Sequence, residues 1–131
     1  MINAIPTALS GMMAATERLA GAAGNLANQR SSGPLAPTAG KAPAYQPVVT
    51  VQRSAPGGGT IASYRPSSPP VVPAYEPDSP AADADGLVAE PNVDAAREMT
   101  EMLSARQSYA ANLKTMRIAA EMQDSLLKIV T

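Results

Sequence analysis

Asp83, Asp85 and Gly86 stand at the spacing of positions 3, 5 and 6 of an EF-hand-type calcium loop. There carboxylates supply hard oxygen ligands and glycine makes the sharp turn. In that frame position 1 is Ala81 and position 12 is Asn92, so the first ligand and the closing bidentate carboxylate are missing. No helix signal precedes the loop. An Asp-Gly turn ahead of a helix is the better reading, with a calcium-regulated helical binding module kept as the alternative from a different functional class. The run Gly57–Gly59 is not followed by Lys-Ser/Thr and opens no helix, so it reads as a turn and not as a phosphate cradle.

Little other chemistry is available. Neither Cys nor His occurs. Their absence removes disulfides, thiolate metal sites, the commonest metal ligand and the commonest general base near neutral pH. The formal net charge is −1 with no basic block, which leaves no electrostatic footprint for nucleic acid. The expectation is a non-enzymatic protein with no cofactor and no metal. No segment reaches the roughly 20 consecutive apolar residues of a membrane-spanning helix. The N-terminus carries no basic leader before Glu17, so any export is expected to proceed without a cleaved signal peptide.

The elements that must position these residues are set by glycine and proline. Twelve of the 13 prolines fall between Pro34 and Pro91, whereas Asn92 to Thr131 contains neither Pro nor Gly. This predicts a helix, a proline-rich middle and a longer helix. The segments are 1–30, 31–91 and 92–131. In the first, Ile2, Ile5, Leu9, Met12, Thr16, Leu19, Ala23 and Leu26 recur at intervals of three and four, a coiled-coil-like seam. Pro6 fits a first helical turn, where its missing N–H costs nothing. Gly11, Gly21 and Gly24 weaken this helix or allow another to approach closely. In the third segment, Ala95, Met99, Met102, Arg106, Tyr109, Leu113, Met116, Ala120, Gln123, Leu127 and Val130 form a second seam. Asn92 is its expected N-cap, with Asp94 in the first turn. A helix from Val93 to Val130 would be roughly 55 Å long. In the middle, Ala44–Ser54 and Thr60–Arg65 flank "PGGG" and predict one small β-hairpin, with extended connectors at Ser31–Pro43 and Arg65–Pro73.

There is no Phe and no Trp, so a large aromatic core is absent. Both seams therefore need partners, and the isolated helices are expected to be largely mobile. The methionines fit the seams better than a promiscuous binding surface. Arg106 is either a specificity device at an interface or a side chain that reaches solvent. Asn25 and Asn28, near the end of the first helix, either tolerate a left-handed cap or use their amides on backbone groups at a packed junction. Sequence chemistry leaves both questions open.

The motif Asn25-Leu26-Ala27-Asn28, followed by "SSG", resembles the Asn-x-Ala-Asn signature of the flagellar axial proteins, the rod and hook family. The segments Tyr75-Glu76-Pro77, Ala82-Asp83-Ala84-Asp85-Gly86-Leu87-Val88, Pro91-Asn92-Val93-Asp94 and Ser108-Tyr109-Ala110-Ala111-Asn112 are similar to those of its proximal rod members. The chain departs from that pattern at Ser79, Leu87 and Asp94, and matches weakly from Leu35 to Pro73.

The resemblance implies a mainly α structural subunit whose N- and C-terminal helices pack as a coiled-coil-like pair, with a small β-hairpin region between. It also implies export through the flagellar type III apparatus and assembly with other rod proteins and copies of itself into the periplasm-spanning rod. The expected assembly interface is Ile5, Leu9, Met12, Leu19, Leu26, Met99, Met102, Tyr109, Leu113, Met116, Leu127 and Val130. The family-motif residues are Asn25, Ala27, Asn28, Tyr75, Pro77, Asp83, Gly86, Pro91, Asn92 and Val93. Another rod or hook component is the alternative within the same class.

Overall fold

A computed structural model describes residues 3–130, and side chains as far as residue 128. Ile2 and the side chain of Val130, both placed in the seams, lie outside the described residues. The element order is α1 (Ala4–Ala27), β1 (Val48–Ser54), β2 (Thr60–Pro66), β3 (Val71–Tyr75), β4 (Leu87–Pro91) and α2 (Ala95–Val130). The fold is mainly α, with two long terminal helices that pack together and a small antiparallel β region between them in sequence. Contacts divide the chain into two compact units.

The first unit holds the chain up to Ala20, Thr50–Ser63, and the chain from Thr100 onward. The Asn3 carbonyl accepts the first helical N–H, from Thr7, which places Pro6 in the opening turn as expected. Here α1 turns Ala8, Met12, Ala14 and Ala15 inward, while Ala105 and Ala119 are the buried apolar residues of α2 among those described. The sides that meet are lined by small residues. A Cβ added to Gly11 would fall 2.7 Å from the Asn112 side chain, so this glycine does permit close helix approach. The predicted loop between β1 and β2 is present, closed by the Ala55 N–H on the Gly59 carbonyl at 3.1 Å. It rests on α1 through Ser10, whose Oγ accepts the Thr60 N–H at 3.2 Å.

The second unit holds Gly21–Val49 and Tyr64–Met99. It contains a hairpin that the sequence reading missed: β3 pairs antiparallel with β4, with Pro73 opposite Ala89 and Val71 opposite Pro91. The connector Arg65–Pro73 is therefore partly strand, and so is the stretch before α2. Prolines hid it, yet the register makes them harmless. Ala89 exchanges both backbone hydrogen bonds with Gly33 on its other side, at 3.0 and 2.8 Å. Ala89 and Pro73 thus form a non-hydrogen-bonded pair, where a missing N–H costs nothing to the hairpin. By the same alternation Pro91 also points its nitrogen away from β3. Gly33 lies so close to the chain that a Cβ there would come 2.3 Å from the Ala44 nitrogen.

The α2 N-terminus corrects a second expectation. Asp94, not Asn92, is the N-cap: its Oδ1 accepts the N–H groups of Ala96 and Arg97 at 3.0 and 3.1 Å. Asn92 instead extends the β3–β4 ladder. Its N–H bonds the Pro70 carbonyl at 3.0 Å and its amide donates to the Pro69 carbonyl at 3.1 Å. The β pairing takes the residues that a sequence-only reading assigns to the helix start.

Candidate assembly surface

The candidate surface is defined by which helix faces the chain uses on itself and which it leaves outward. On α1 the inward stripe is Ala8, Met12, Ala15, Arg18, Ala22 and Asn25, and on α2 it runs through Glu98, Glu101, Ala105, Ser108, Asn112 and Ala119. The expected seams lie mostly one residue later along each helix, a rotation of about 100°. Leu9 is 47% exposed, Leu113 38% and Leu127 66%, and Leu19, Met99 and Tyr109 are also exposed. Ile5, Leu26, Met102 and Met116 are half-buried, and Met12 belongs to the inward face. Arg106 is exposed. Small residues let the helices approach each other, and large apolar ones are left outward (Met13, Leu103 and Ile118 among them).

Polar residues punctuate the inward stripes. Arg18 donates from Nε to Glu101 at 2.6 Å, from Nη2 to the Ser104 hydroxyl at 3.0 Å, and over a longer 3.5 Å from Nη1 to Ser108. The bond to Glu101 holds the guanidinium above its usual pKa, against the opposing pull of burial. Sequence reasoning passed over Arg18 because it searched for large apolar residues. The signal was present: α1 carries only two charged residues, Glu17 and Arg18, and Arg18 falls on the spacing of Ala8, Ala15 and Ala22.

The family-motif residues gather in the second unit. Asn25 is 1% exposed. Its Nδ2 donates to the Val48 carbonyl at 2.7 Å, while its Oδ1 accepts the Val48 N–H at 2.9 Å and the Tyr45 hydroxyl at 3.2 Å. Asn28 donates its side-chain amide to the Gly24 carbonyl at 2.9 Å, an acceptor that also takes the Asn28 backbone N–H at 3.1 Å. No described non-glycine residue has a positive φ, so neither asparagine is a left-handed cap. Ala27 is exposed. Burial, then the charge of Glu98, raises the Tyr45 pKa.

Tyr75, Pro77, Asp83 and Gly86 build the β3–β4 loop. The Asp83 carboxylate accepts the N–H groups of Asp85 and Leu87, both at 2.9 Å, which spends one oxygen on organising the turn. Gly86 takes φ of 76°, and a Cβ there would meet the Tyr75 ring at 2.9 Å. Pro91 is buried, Val93 half-buried and Asn92 exposed. Among the described residues no three of His, Cys, Asp and Glu come together as a metal site.

Residues 84–129, which span β4 and nearly all of α2, match the model of the flagellar basal body rod FlgEFG protein C-terminal family. Over its full length the chain is 38% identical to the flagellar basal-body rod protein FlgC of Salmonella typhimurium, covering 96% of that protein. The chain belongs to the FlgC family of flagellar basal-body rod proteins. FlgC of Escherichia coli O157:H7 is equally similar, at 38% identity over 100% of this chain and 96% of the relative. FlgC of Aquifex aeolicus is 31% identical over 92% of this chain and 90% of its own length. As a FlgC-family member the chain is a structural, non-enzymatic subunit of the flagellar basal-body rod, where it interacts with other rod proteins.

Proposed function

We propose that this FlgC-family subunit forms part of the proximal rod, the periplasm-spanning drive shaft, and that it arrives there through the flagellar type III export apparatus without cleavage. In this reading the two helices pair in a coiled-coil-like manner. Alanines at Ala8, Ala15 and Ala22 on α1, and at Ala105 and Ala119 on α2, recur at multiples of seven residues and support that pairing. Segments 1–30 and 92–131 supply the assembly faces, and 31–91 the β region.

The observation that carries the reading is the outward apolar residues on both helices, with Leu9, Tyr109, Leu113 and Leu127 exposed. Exposed apolar area on this scale is covered by neighbouring chains in a working assembly. Head-to-tail contacts that do not close on themselves extend into a helical rod. The neighbours are other rod proteins and copies of this chain.

Photo-crosslinking from position 9 and position 113 in intact basal bodies tests this. The expected products join the subunit to rod proteins or to a second copy of itself. Crosslinks confined to membrane or export components, or none in rods that contain the subunit, would overturn it.

A further inference from the structure

Tyr75 is 71% exposed, more than any other large apolar side chain described, in a chain whose only aromatic residues are four tyrosines. The ring is nevertheless held in place. A Cβ on Gly86 would meet it at 2.9 Å, so the ring rests on that glycine, and the Glu76 N–H bonds the Gly86 carbonyl at 2.9 Å. The same loop carries Glu76, Asp78, Asp83 and Asp85, all exposed, and no basic residue. Asp83 spends one oxygen on the turn, which fixes the shape of the loop and leaves its charge. A fixed aromatic side chain with a charged rim suits an interface anchor, because little freedom is lost when it is covered.

A complementary surface lies on the last third of α2. Every side chain described from Ala120 to Lys128 is exposed, and Ile118 with them, so the chain itself leaves this stretch uncovered. Two rows of side chains four residues apart, Lys114-Ile118-Met122-Leu126 and Arg117-Glu121-Ser125, have a shallow, mostly apolar groove between them. Each row begins with a cation, and from Met102 to Ala120 the helix carries Arg106, Lys114 and Arg117 but no acid. Glu121 lies 3.9 Å from Arg117, and both side chains are largely exposed, so water weakens that pair. We propose that the β3–β4 loop of one copy docks on this surface of a second copy. Tyr75 enters the groove between Ile118 and Met122, and the loop carboxylates face Lys114 and Arg117. Opposite charge on two uncovered patches of the same chain argues for a like copy as the occupant. Because the two patches differ, the contact is heterologous and repeats from copy to copy. The proposal rests on the rod reading for the setting in which copies meet.

A photo-reactive phenylalanine in place of Tyr75 keeps an aromatic side chain at the loop. Tagged and untagged forms of the full chain, present together in intact basal bodies, separate contacts between copies from contacts within one. The expected product joins position 75 of one copy to residues 114–126 of another, and the same probe at Met122 is expected to reach residues 75–85 in return. Lys114→Glu with Arg117→Glu changes two exposed side chains. It is expected to keep the helicity seen by circular dichroism and to cut the crosslink yield about tenfold. Adding Glu76→Lys with Asp78→Lys is expected to restore the yield. Products within one copy only, products with another rod protein only, or no product in rods that contain the subunit would each overturn the docking and leave rod membership standing. An undiminished yield in the Lys114→Glu, Arg117→Glu chain would overturn it as well. A subunit absent from rods would overturn the rod reading, and the same crosslink in the concentrated purified chain then decides the docking.

Discussion

The side-chain amide of Asn25 pairs with both backbone groups of Val48, donating to its carbonyl at 2.7 Å and accepting its N–H at 2.9 Å. A helix residue thus does for the first residue of β1 what a neighbouring strand would do. At 1% exposure no water replaces it, so the cost of removal is that of leaving buried backbone groups unpaired. Asn25→Leu should lower the stability of the chain by about 2 kcal/mol, measured by urea unfolding. Asn25→Asp should also destabilise at neutral pH, because a carboxylate accepts but cannot donate to the Val48 carbonyl. A wild-type unfolding midpoint in both variants would show that the pairing is dispensable.

Helix faces should separate folding from assembly. Leu9→Asp and Leu113→Asp alter exposed side chains, so each chain should keep its helicity while losing rod assembly and swimming. Ala15→Asp places a charge on a residue that is 2% exposed and should instead lower the stability of the chain itself, by several kcal/mol. Motility assays alongside circular dichroism of the purified chains distinguish the two classes. Normal swimming with Leu9→Asp or Leu113→Asp would remove those residues from the assembly surface.

Gly86 in the β3–β4 loop and Gly40 in the connector between α1 and β1 offer a graded comparison of glycines. Gly86→Ala puts a side chain at φ of 76° and against the Tyr75 ring, whereas Gly40→Ala at φ of 80° meets nothing within 4 Å. The Gly40 variant should cost about 1 kcal/mol from backbone strain alone, and the Gly86 variant distinctly more. Hydrogen exchange at the Glu76 amide, which bonds the Gly86 carbonyl at 2.9 Å, should accelerate only in Gly86→Ala. Equal exchange in the two variants would show that the ring contact is unimportant.

Tyr45 predicts an alkaline limit. Burial, then Glu98, raises its pKa above the ordinary value of 10.0, so the folded state favours the neutral phenol. The unfolded chain releases this proton first as pH rises. Its contribution is therefore complete below about pH 10 and is lost as pH climbs through the raised value. Melting temperature followed from pH 8 to pH 11 should fall above about 10, and Tyr45→Phe should flatten that part of the curve. An identical decline in Tyr45→Phe would assign the loss to other groups.

The sequence by itself determined the order of helix, proline-rich middle and longer helix, because glycine and proline act locally and a run without either has one common outcome. It also marked the β1–β2 hairpin, the turn at Gly86 and the family motif. What only tertiary structure decided was how faces and backbone groups are shared. Periodicity weighs residues by hydrophobicity, so it found Leu9 and Leu113. The chain instead packs on Ala15, Ala105 and the Gly11–Asn112 contact, where close approach rewards small side chains. Strands β3 and β4 were illegible because proline reads as a strand breaker until the register shows its nitrogen pointing away from the partner. Asp94 displaced Asn92 as the cap for the same reason: a long-range ladder had already engaged Asn92, and no local propensity carries that information.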